Sequence, residues 1–211
     1  MGMDKIREGH AHFRESVFPL HEDLFRTLAL SQRPEALFIT CADSRIDPCL
    51  LTQTKPGDLF IARNAGNIVP PYGDAVGGVS ATIEYAVAVL QVPEVILCGH
   101  TDCGVMNGVM NPEALAPLEA VAKWLAFAQP ARKAAERRTS PSSPDFVLRM
   151  TECNVLHQLE NLKTHPSVAA RLAKGNLRLH GWVYHIAQGT LTEYSATPDA
   201  FVPLGVYDAA G

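Results

Sequence analysis

Two cysteines and one histidine are placed where they could bind a single metal ion. His100 and Cys103 form a short His-x-x-Cys segment, and Cys41 lies far from them along the chain. Two thiolates and one imidazole make a donor set that suits zinc. Three protein ligands leave the fourth tetrahedral position free, as in catalytic zinc sites, whereas structural sites usually take four. Each residue alone is a weak signal, because a lone cysteine at a strand end is more often a small buried side chain.

An acidic and a basic residue follow the first of these cysteines closely. Asp43 and Arg45 stand two and four residues after Cys41. A carboxylate beside an arginine stays ionised, since the guanidinium favours the charged form. Near a metal ion, such a carboxylate could accept a hydrogen bond from metal-bound water and orient it. The alternative is a turn-stabilising aspartate that caps a helix.

The elements that must position these residues alternate between strand and helix. The β-rich runs are Ala36–Thr40, Asp58–Ala62, Glu94–Cys98, Leu177–Ile186 and Leu191–Ser195. The helical patterns are Val79–Leu90, Leu115–Arg138 and Phe146–Ala173, with a Pro/Ser loop at Thr139–Pro144. This order predicts an α/β fold with a mostly parallel central sheet and helices on both faces. A turn at Gln188 and Gly189 predicts an antiparallel edge strand.

Sheets of this kind bind ligands outside the carboxyl ends of their strands. Cys41 and Asp43 follow the first predicted strand, residues 63–67 follow the second, and His100 and Cys103 follow the third. These three exits are therefore expected to converge on one rim, which favours a single site over scattered polar residues.

Residues 1–30 predict a helical arm. Its apolar residues recur at helical spacing and include Ile6, Phe13, Leu20 and Leu28. Pro19 is expected to divide the arm into two helices near Phe18. The apolar stripe must be covered either by the chain's own core or by a partner subunit. The whole of residues 1–211 is interpreted as one domain that carries this arm.

Composition excludes several classes of function. The chain is 47% hydrophobic and 19% charged with a net charge of −4, so it can bury a core and offers no basic surface for nucleic acid. It has no apolar segment long enough to cross a membrane and no secretory signal at its start. Five cysteines, an odd number, favour metal binding or catalysis over a disulfide scaffold. A cytoplasmic location is expected.

Four segments together resemble the beta-class carbonic anhydrases. They are CADSR at 41–45, RNAGN at 63–67, IEYAV at 83–87 and GHTDCG at 99–104. The resemblance extends over most of the chain and is strongest to the bacterial and plant-like branch. It implies one Zn²⁺ per chain held by Cys41, His100 and Cys103, with Asp43 and Arg45 as the catalytic dyad. The implied reaction is the reversible hydration of carbon dioxide to bicarbonate and a proton, by zinc-bound hydroxide that the dyad orients.

The resemblance also implies residues of a substrate pocket. Its apolar walls would be Phe60, Ala65 and Tyr85, and Gly104 is a further substrate-binding residue. Gln32 would face the substrate across a dimer interface. A homodimer or a dimer of dimers is therefore expected. Phe38 stands where the allosteric subgroup has tryptophan, so that subgroup is disfavoured. His185 stands where many relatives carry aspartate; a solvated strand-end histidine is preferred there to a proton relay.

Three other functions compete with this interpretation. A zinc hydrolase acting on carbon disulfide or carbonyl sulfide could use the same scaffold. A non-catalytic zinc-binding or assembly protein would be expected to lack a ligand or the Asp–Arg pair, yet all five residues are present. A thiol redox protein is disfavoured because the chain contains no Cys-x-x-Cys segment.

Overall fold

The computed structural model describes residues 2–74, 77–115 and 117–205. The chain divides into two compact units, one ending at Arg33 and the other beginning at Pro34. The single-domain assignment for residues 1–211 stays a prediction. None of the described helices is long and apolar enough to cross a membrane.

The N-terminal unit is helical, as the apolar spacing predicts. It consists of α1 (Met3–His12), a π-helical turn (Phe13–Val17), a 3-10 turn (Phe18–His21) and α2 (Glu22–Leu28). Pro19 lies at the start of the 3-10 turn, because its ring fixes φ and its nitrogen has no hydrogen to donate. No residue of these four elements is buried, and Leu20 is 79% exposed. Ile6 of the predicted stripe is also exposed, at 64%.

The second unit is built on a six-stranded sheet with helices around it. The strands are β1 (Ala36–Cys41), β2 (Leu59–Asn64), β3 (Glu94–His100), β4 (Arg178–His185), β5 (Thr190–Ser195) and β6 (Ala200–Pro203). Their order is β2-β1-β3-β4-β5-β6. The first four are parallel, and β5 and β6 are antiparallel. The predicted mostly parallel sheet with an antiparallel edge is confirmed, and β6 extends that edge by a strand that the sequence pattern does not predict.

The described residues of the second unit also form seven helices. They are α3 (Pro48–Thr52), α4 (Gly78–Glu84), α5 (Gly104–Met110), α6 (Glu119–Leu125), α7 (Gln129–Glu136), α8 (Phe146–Lys163) and α9 (Pro166–Ala173). A π-helical turn (Tyr85–Val89) continues α4, and 3-10 turns at Pro112–Leu115 and Ala126–Ala128 precede α6 and α7.

Two long helices expected from the sequence are wrong in extent. The predicted helix Leu115–Arg138 is interrupted before α6 and again before α7, where Pro130 lies in the first turn of the new helix. The predicted helix Phe146–Ala173 ends at Lys163, and Pro166 begins α9. Proline cannot donate the helical hydrogen bond and collides with the carbonyl four residues earlier, so each proline starts a helix and does not continue one.

Helix α8 is the main support behind the parallel strands. Its Val155 and Leu159 pack in one apolar cluster with Leu37 and Leu97 of the sheet. At Gly99 the approach is so close that an added Cβ would lie 2.9 Å from Val155 Cγ2. A side chain larger than hydrogen at this position would push α8 from the sheet, directly beside His100.

Candidate metal centre

The topology brings the three predicted ligands together. Cys41 is the last residue of β1, His100 is the last residue of β3, and these strands are parallel neighbours. Cys103 follows after a turn and directly precedes α5. The potential ligand atoms of the three residues all lie within 4.8 Å of one another, and all three side chains are buried.

The imidazole of His100 is oriented for coordination through one nitrogen. Nδ1 lies 2.9 Å from the carbonyl oxygen of Thr101 and donates to it, which leaves the lone pair on Nε2. Nε2 is buried and has no hydrogen-bond partner among the described residues. Buried polar atoms are rarely left unpaired, so this nitrogen indicates a missing partner such as a metal ion.

The two thiols share their protons unequally. A hydrogen bond from the Cys103 thiol lowers the pKa of Cys41; burial opposes this effect, and the hydrogen bond from the Gly66 backbone N–H assists it. The same bond with Cys41, together with burial, raises the pKa of Cys103 above its ordinary value. Without a metal the pair thus favours one thiolate and one thiol. Coordination by both sulfurs requires both to be deprotonated, so metal binding would release a proton.

The donor set fits zinc. Two thiolates and an imidazole match the chemistry of zinc ligands, and three ligands leave one position for a water or a substrate. This buried cluster with an unpaired Nε2 is therefore a suitable site for a catalytic zinc ion.

Asp43 and Arg45 form an ion pair beside the cluster. Arg45 donates from Nε to Asp43 Oδ1 at 2.9 Å and from Nη2 to Oδ2 at 2.8 Å, and its backbone N–H also reaches Oδ1. Arg45 Nη2 donates in addition to the Asp102 carbonyl oxygen, which ties the pair to the turn after β3. The hydrogen bond from Arg45 holds the pKa of Asp43 well below its usual range. Asp43 Oδ2 lies 3.8 Å from His100 Nε2, so an ionised carboxylate faces the position that a metal would occupy.

Two groups at this site were not predicted from the sequence. Arg63 donates to the carbonyl oxygens of Cys41 and Asp43, at 3.1 and 2.7 Å, and so fixes the backbone after β1. The backbone N–H of Gly66 donates to Cys41 Sγ at 3.3 Å. Both residues lie in the RNAGN segment at 63–67, which the sequence places at the same rim as the cluster. A sequence motif does not say which of its groups forms a hydrogen bond with which neighbour.

Two predicted pocket residues lie next to this centre in the chain. Gly104 directly follows Cys103, and an added Cβ there would have no heavy atom within 4 Å. Ala65 directly precedes Gly66, and its carbonyl oxygen accepts a hydrogen bond from Trp124 Nε1 at 2.8 Å.

Among the other predicted pocket residues, Phe60 lies away from the level of the cluster in its own chain. In the sheet, Phe60 of β2 pairs with Leu37 of β1. Leu37 precedes Cys41 by four residues, so Phe60 lies about 13 Å along the strands from the level of Cys41. Its ring packs against that of Tyr85 at 5.9 Å, and Tyr85 is 44% exposed. Gln32 is an exposed residue of the N-terminal unit.

His185 and Phe38 each contact another strand of the sheet. His185 Nε2 lies 3.2 Å from Thr192 Oγ1, in the neighbouring strand β5. Phe38 is fully buried and its ring makes an edge contact with Trp182 at 6.1 Å. These contacts give both side chains a structural role.

Comparison with known proteins agrees with the site. A family model described as carbonic anhydrase matches residues 36–191. A carbonic anhydrase of Pseudomonas aeruginosa is 46% identical over 202 residues, which cover 96% of this chain and 92% of that protein. One from Synechococcus elongatus is 45% identical over 197 residues, covering 92% of this chain and 72% of that protein. Among solved structures, the beta-carbonic anhydrase CcaA superposes with a TM-score of 0.93 at 42% identity, over 95% of this chain and 98% of that chain.

More distant structures share the architecture. A Coccomyxa beta-carbonic anhydrase in complex with acetazolamide gives a TM-score of 0.80 at 30% identity, over 91% of this chain and 86% of that chain. The family match spans most of the chain, and the similar proteins cover nearly all of it. The chain belongs to the beta-class carbonic anhydrases.

Proposed function

We propose that the chain catalyses the reversible hydration of carbon dioxide to bicarbonate and a proton, with one Zn²⁺ held by Cys41, His100 and Cys103. The observation that carries this proposal is the buried three-donor cluster with an unpaired His100 Nε2 beside an ionised Asp43. When bound, zinc would act as a Lewis acid that lowers the pKa of a water ligand and so provides a nucleophile near neutral pH.

Asp43 would orient the attacking oxygen. Its Oδ2 can accept the hydrogen of that oxygen's O–H group, which turns a lone pair toward the carbon atom of the substrate. Arg45 keeps Asp43 ionised and holds both carboxylate oxygens in place through its two side-chain hydrogen bonds. Arg63 restrains the backbone of Asp43, so the carboxylate is positioned from two sides.

Carbon dioxide is small, linear and apolar, so its pocket needs little more than dry apolar walls. Ala65 and Gly104 are small residues that adjoin Gly66 and Cys103 in the chain, and an added Cβ at Gly104 would have no heavy atom within 4 Å. Phe60 and Tyr85 would supply aromatic wall, and Gln32 would donate a hydrogen bond to bicarbonate.

These last three residues would act from a second copy of the chain. The position of Phe60 about 13 Å along the strand from the level of Cys41 supports this assignment. Support also comes from the helical arm, in which Leu20 is 79% exposed. Two beta-carbonic anhydrases of Sordaria macrospora are described as tetrameric, and a solved structure from that work superposes with a TM-score of 0.75 at 30% identity, over 92% of this chain and 93% of that chain. A homodimer or a dimer of dimers is the proposed assembly.

Stopped-flow hydration of carbon dioxide tests the proposed reaction. The zinc-loaded protein should accelerate hydration at pH ~8.5, where such a site supplies its nucleophile. Chelator-stripped protein and the Cys41→Ser variant should not. Absence of activity in protein that holds one zinc per chain would mean that the site is closed or that the substrate is a different molecule, and carbon disulfide and carbonyl sulfide would then be assayed.

A further inference from the structure

A buried loop follows strand β2 and passes directly behind the metal centre. Residues Gly66 to Pro70 are all buried. Loops usually lie at the surface, because a buried backbone cannot form hydrogen bonds with bulk water. Each polar group of this loop must therefore find a partner inside the protein.

Side-chain amides supply those partners. Asn64 binds both backbone groups of Ile68, accepting from its N–H at 2.8 Å and donating to its C=O at 2.9 Å. Val69 donates its N–H to Gln158 Oε1 and accepts from Asn161 Nδ2, each at 2.9 Å. The effect resembles strand pairing, with side chains in place of a neighbouring strand.

Three of these amides form a continuous row on α8, which we call the amide ladder: Asn154, Gln158 and Asn161. Their spacing of four and three residues places them on one face of the helix. Gln158 Nε2 donates to Asn154 Oδ1 at 3.0 Å, and Asn161 Nδ2 lies 3.2 Å from Gln158 Oε1. All three are buried, and Gln158 also donates to the Phe127 carbonyl oxygen. Because each amide restrains the next, the ladder holds the loop in one conformation.

Gly66 connects the ladder to the metal centre. Its carbonyl oxygen accepts from Asn154 Nδ2 at 3.1 Å, and its N–H donates to Cys41 Sγ at 3.3 Å. The residue has φ of +81°, and an added Cβ would lie 2.5 Å from Val105 Cγ1. The direction of the N–H group therefore depends on a tightly packed backbone in a conformation that favours glycine, and Asn154 holds the carbonyl of that residue.

We propose that the amide ladder is a positioning device for the metal centre, in which Asn154 acts through Gly66 to keep a hydrogen bond on the sulfur of Cys41. This inference rests on the proposed role of Cys41 as a zinc ligand. A hydrogen bond to a ligating thiolate stabilises its charge and fixes its lone pairs. Loss of such an outer contact typically lowers metal affinity about 10–100-fold.

Zinc affinity of the whole protein tests the proposal. Asn154→Leu removes the donor to Gly66 while keeping the side-chain size. Val168→Ala is the matched control, since Val168 is buried on α9 in the apolar cluster that does not contain Cys41. In competition with a chromophoric chelator, Asn154→Leu should bind zinc about 10–100-fold more weakly than Val168→Ala. Equal affinities in the two variants would overturn the proposal. If Asn154→Leu does not fold, Asn154→Ser removes the same donor with less apolar disturbance.

A spectroscopic measurement separates positioning from general destabilisation. In the Co²⁺-substituted protein, the thiolate-to-cobalt charge-transfer band should move to longer wavelength in Asn154→Ser, because the sulfur loses its hydrogen bond. The band should be unchanged in Val168→Ala, and an unchanged band in both variants would count against the ladder. A wild-type protein that binds no stoichiometric zinc would instead refute the ligand assignment itself.

Discussion

Replacing Gly66 with alanine should destabilise the fold and the metal centre together. The new Cβ would lie 2.5 Å from Val105 Cγ1 and 3.2 Å from Val105 Cβ, and φ of +81° disfavours any side chain. The left-handed backbone costs about 1 kcal/mol for alanine, and forced overlap in a packed region adds roughly 2 kcal/mol. For a chain of this length, the sum of about 3 kcal/mol corresponds to a fall in Tm of roughly 6–12 °C. Val105 lies two residues after Cys103, so its displacement should also reduce zinc retention.

Thermal unfolding at fixed protein and zinc concentrations measures this effect. Gly189→Ala is the control, because Gly189 has φ of +67° but no heavy atom within 4 Å of an added Cβ. The stability of this variant should fall only by the backbone cost of about 1 kcal/mol, which corresponds to a decrease in Tm of roughly 2–4 °C. Val105→Ala removes the closest contact, so Gly66→Ala should cost at least about 1 kcal/mol less in that background. Equal Tm losses for the two glycine variants, with no coupling to Val105, would refute the packing argument.

Three further predictions concern the ligands, the dyad and a buried histidine. Cys41→Ser should lower the zinc content, measured by metal analysis, well below one per chain; full retention would contradict the ligand assignment. Asp43→Ala should keep its zinc but lose activity by about 100-fold or more, because the orienting carboxylate is gone; near wild-type rates above neutral pH would remove Asp43 from the mechanism. Burial lowers the pKa of His165, whose Nε2 donates to the Pro70 carbonyl oxygen, so the folded state takes up its proton at lower pH than the unfolded chain. Stability from this group is therefore fully present above the unfolded pKa of about 6.5 and is lost as pH falls through the folded value. Urea unfolding of His165→Asn should show a smaller loss between neutral and mildly acidic pH than wild type, and identical pH profiles would exclude this contribution.

The metal cluster could be predicted from sequence because of a general property of parallel sheets. Their carboxyl ends lie on one side, so residues after different strands meet whatever their distance along the chain. Cys41 and His100 are the last residues of two neighbouring strands. Cys103 follows His100 after a short turn, which keeps it close to both. Asp43 and Arg45 are only two residues apart, so their ion pair can be expected from the local sequence alone.

The support behind the cluster could not be predicted. Asn154, Gln158 and Asn161 are polar residues on a helix, and such residues usually form a solvated face. Their burial follows from a loop that needs hydrogen-bond partners, which is a tertiary requirement with no local signal. The starts of α7 and α9 do have a local signal, because Pro130 and Pro166 each indicate a new helix. The continuous apolar spacing across these prolines instead predicts one long helix in each place.

The positions of Phe60 and Tyr85 show the limit of a resemblance. Their identities fit an aromatic pocket wall, but strand register places Phe60 well before the level of Cys41 in its own chain. A motif identifies the residue and not the subunit from which it acts. Sedimentation of the protein should therefore give at least a dimer, and a monomeric profile in fully active protein would contradict the proposed role of Gln32.

Anomalous diffraction at the zinc absorption edge tests the central claim most directly. Crystals of the zinc-loaded protein should show one strong peak per chain, about 2.3 Å from the Sγ atoms of Cys41 and Cys103 and about 2.0 Å from His100 Nε2. A peak elsewhere, or none in protein that holds one zinc per chain, would contradict the account.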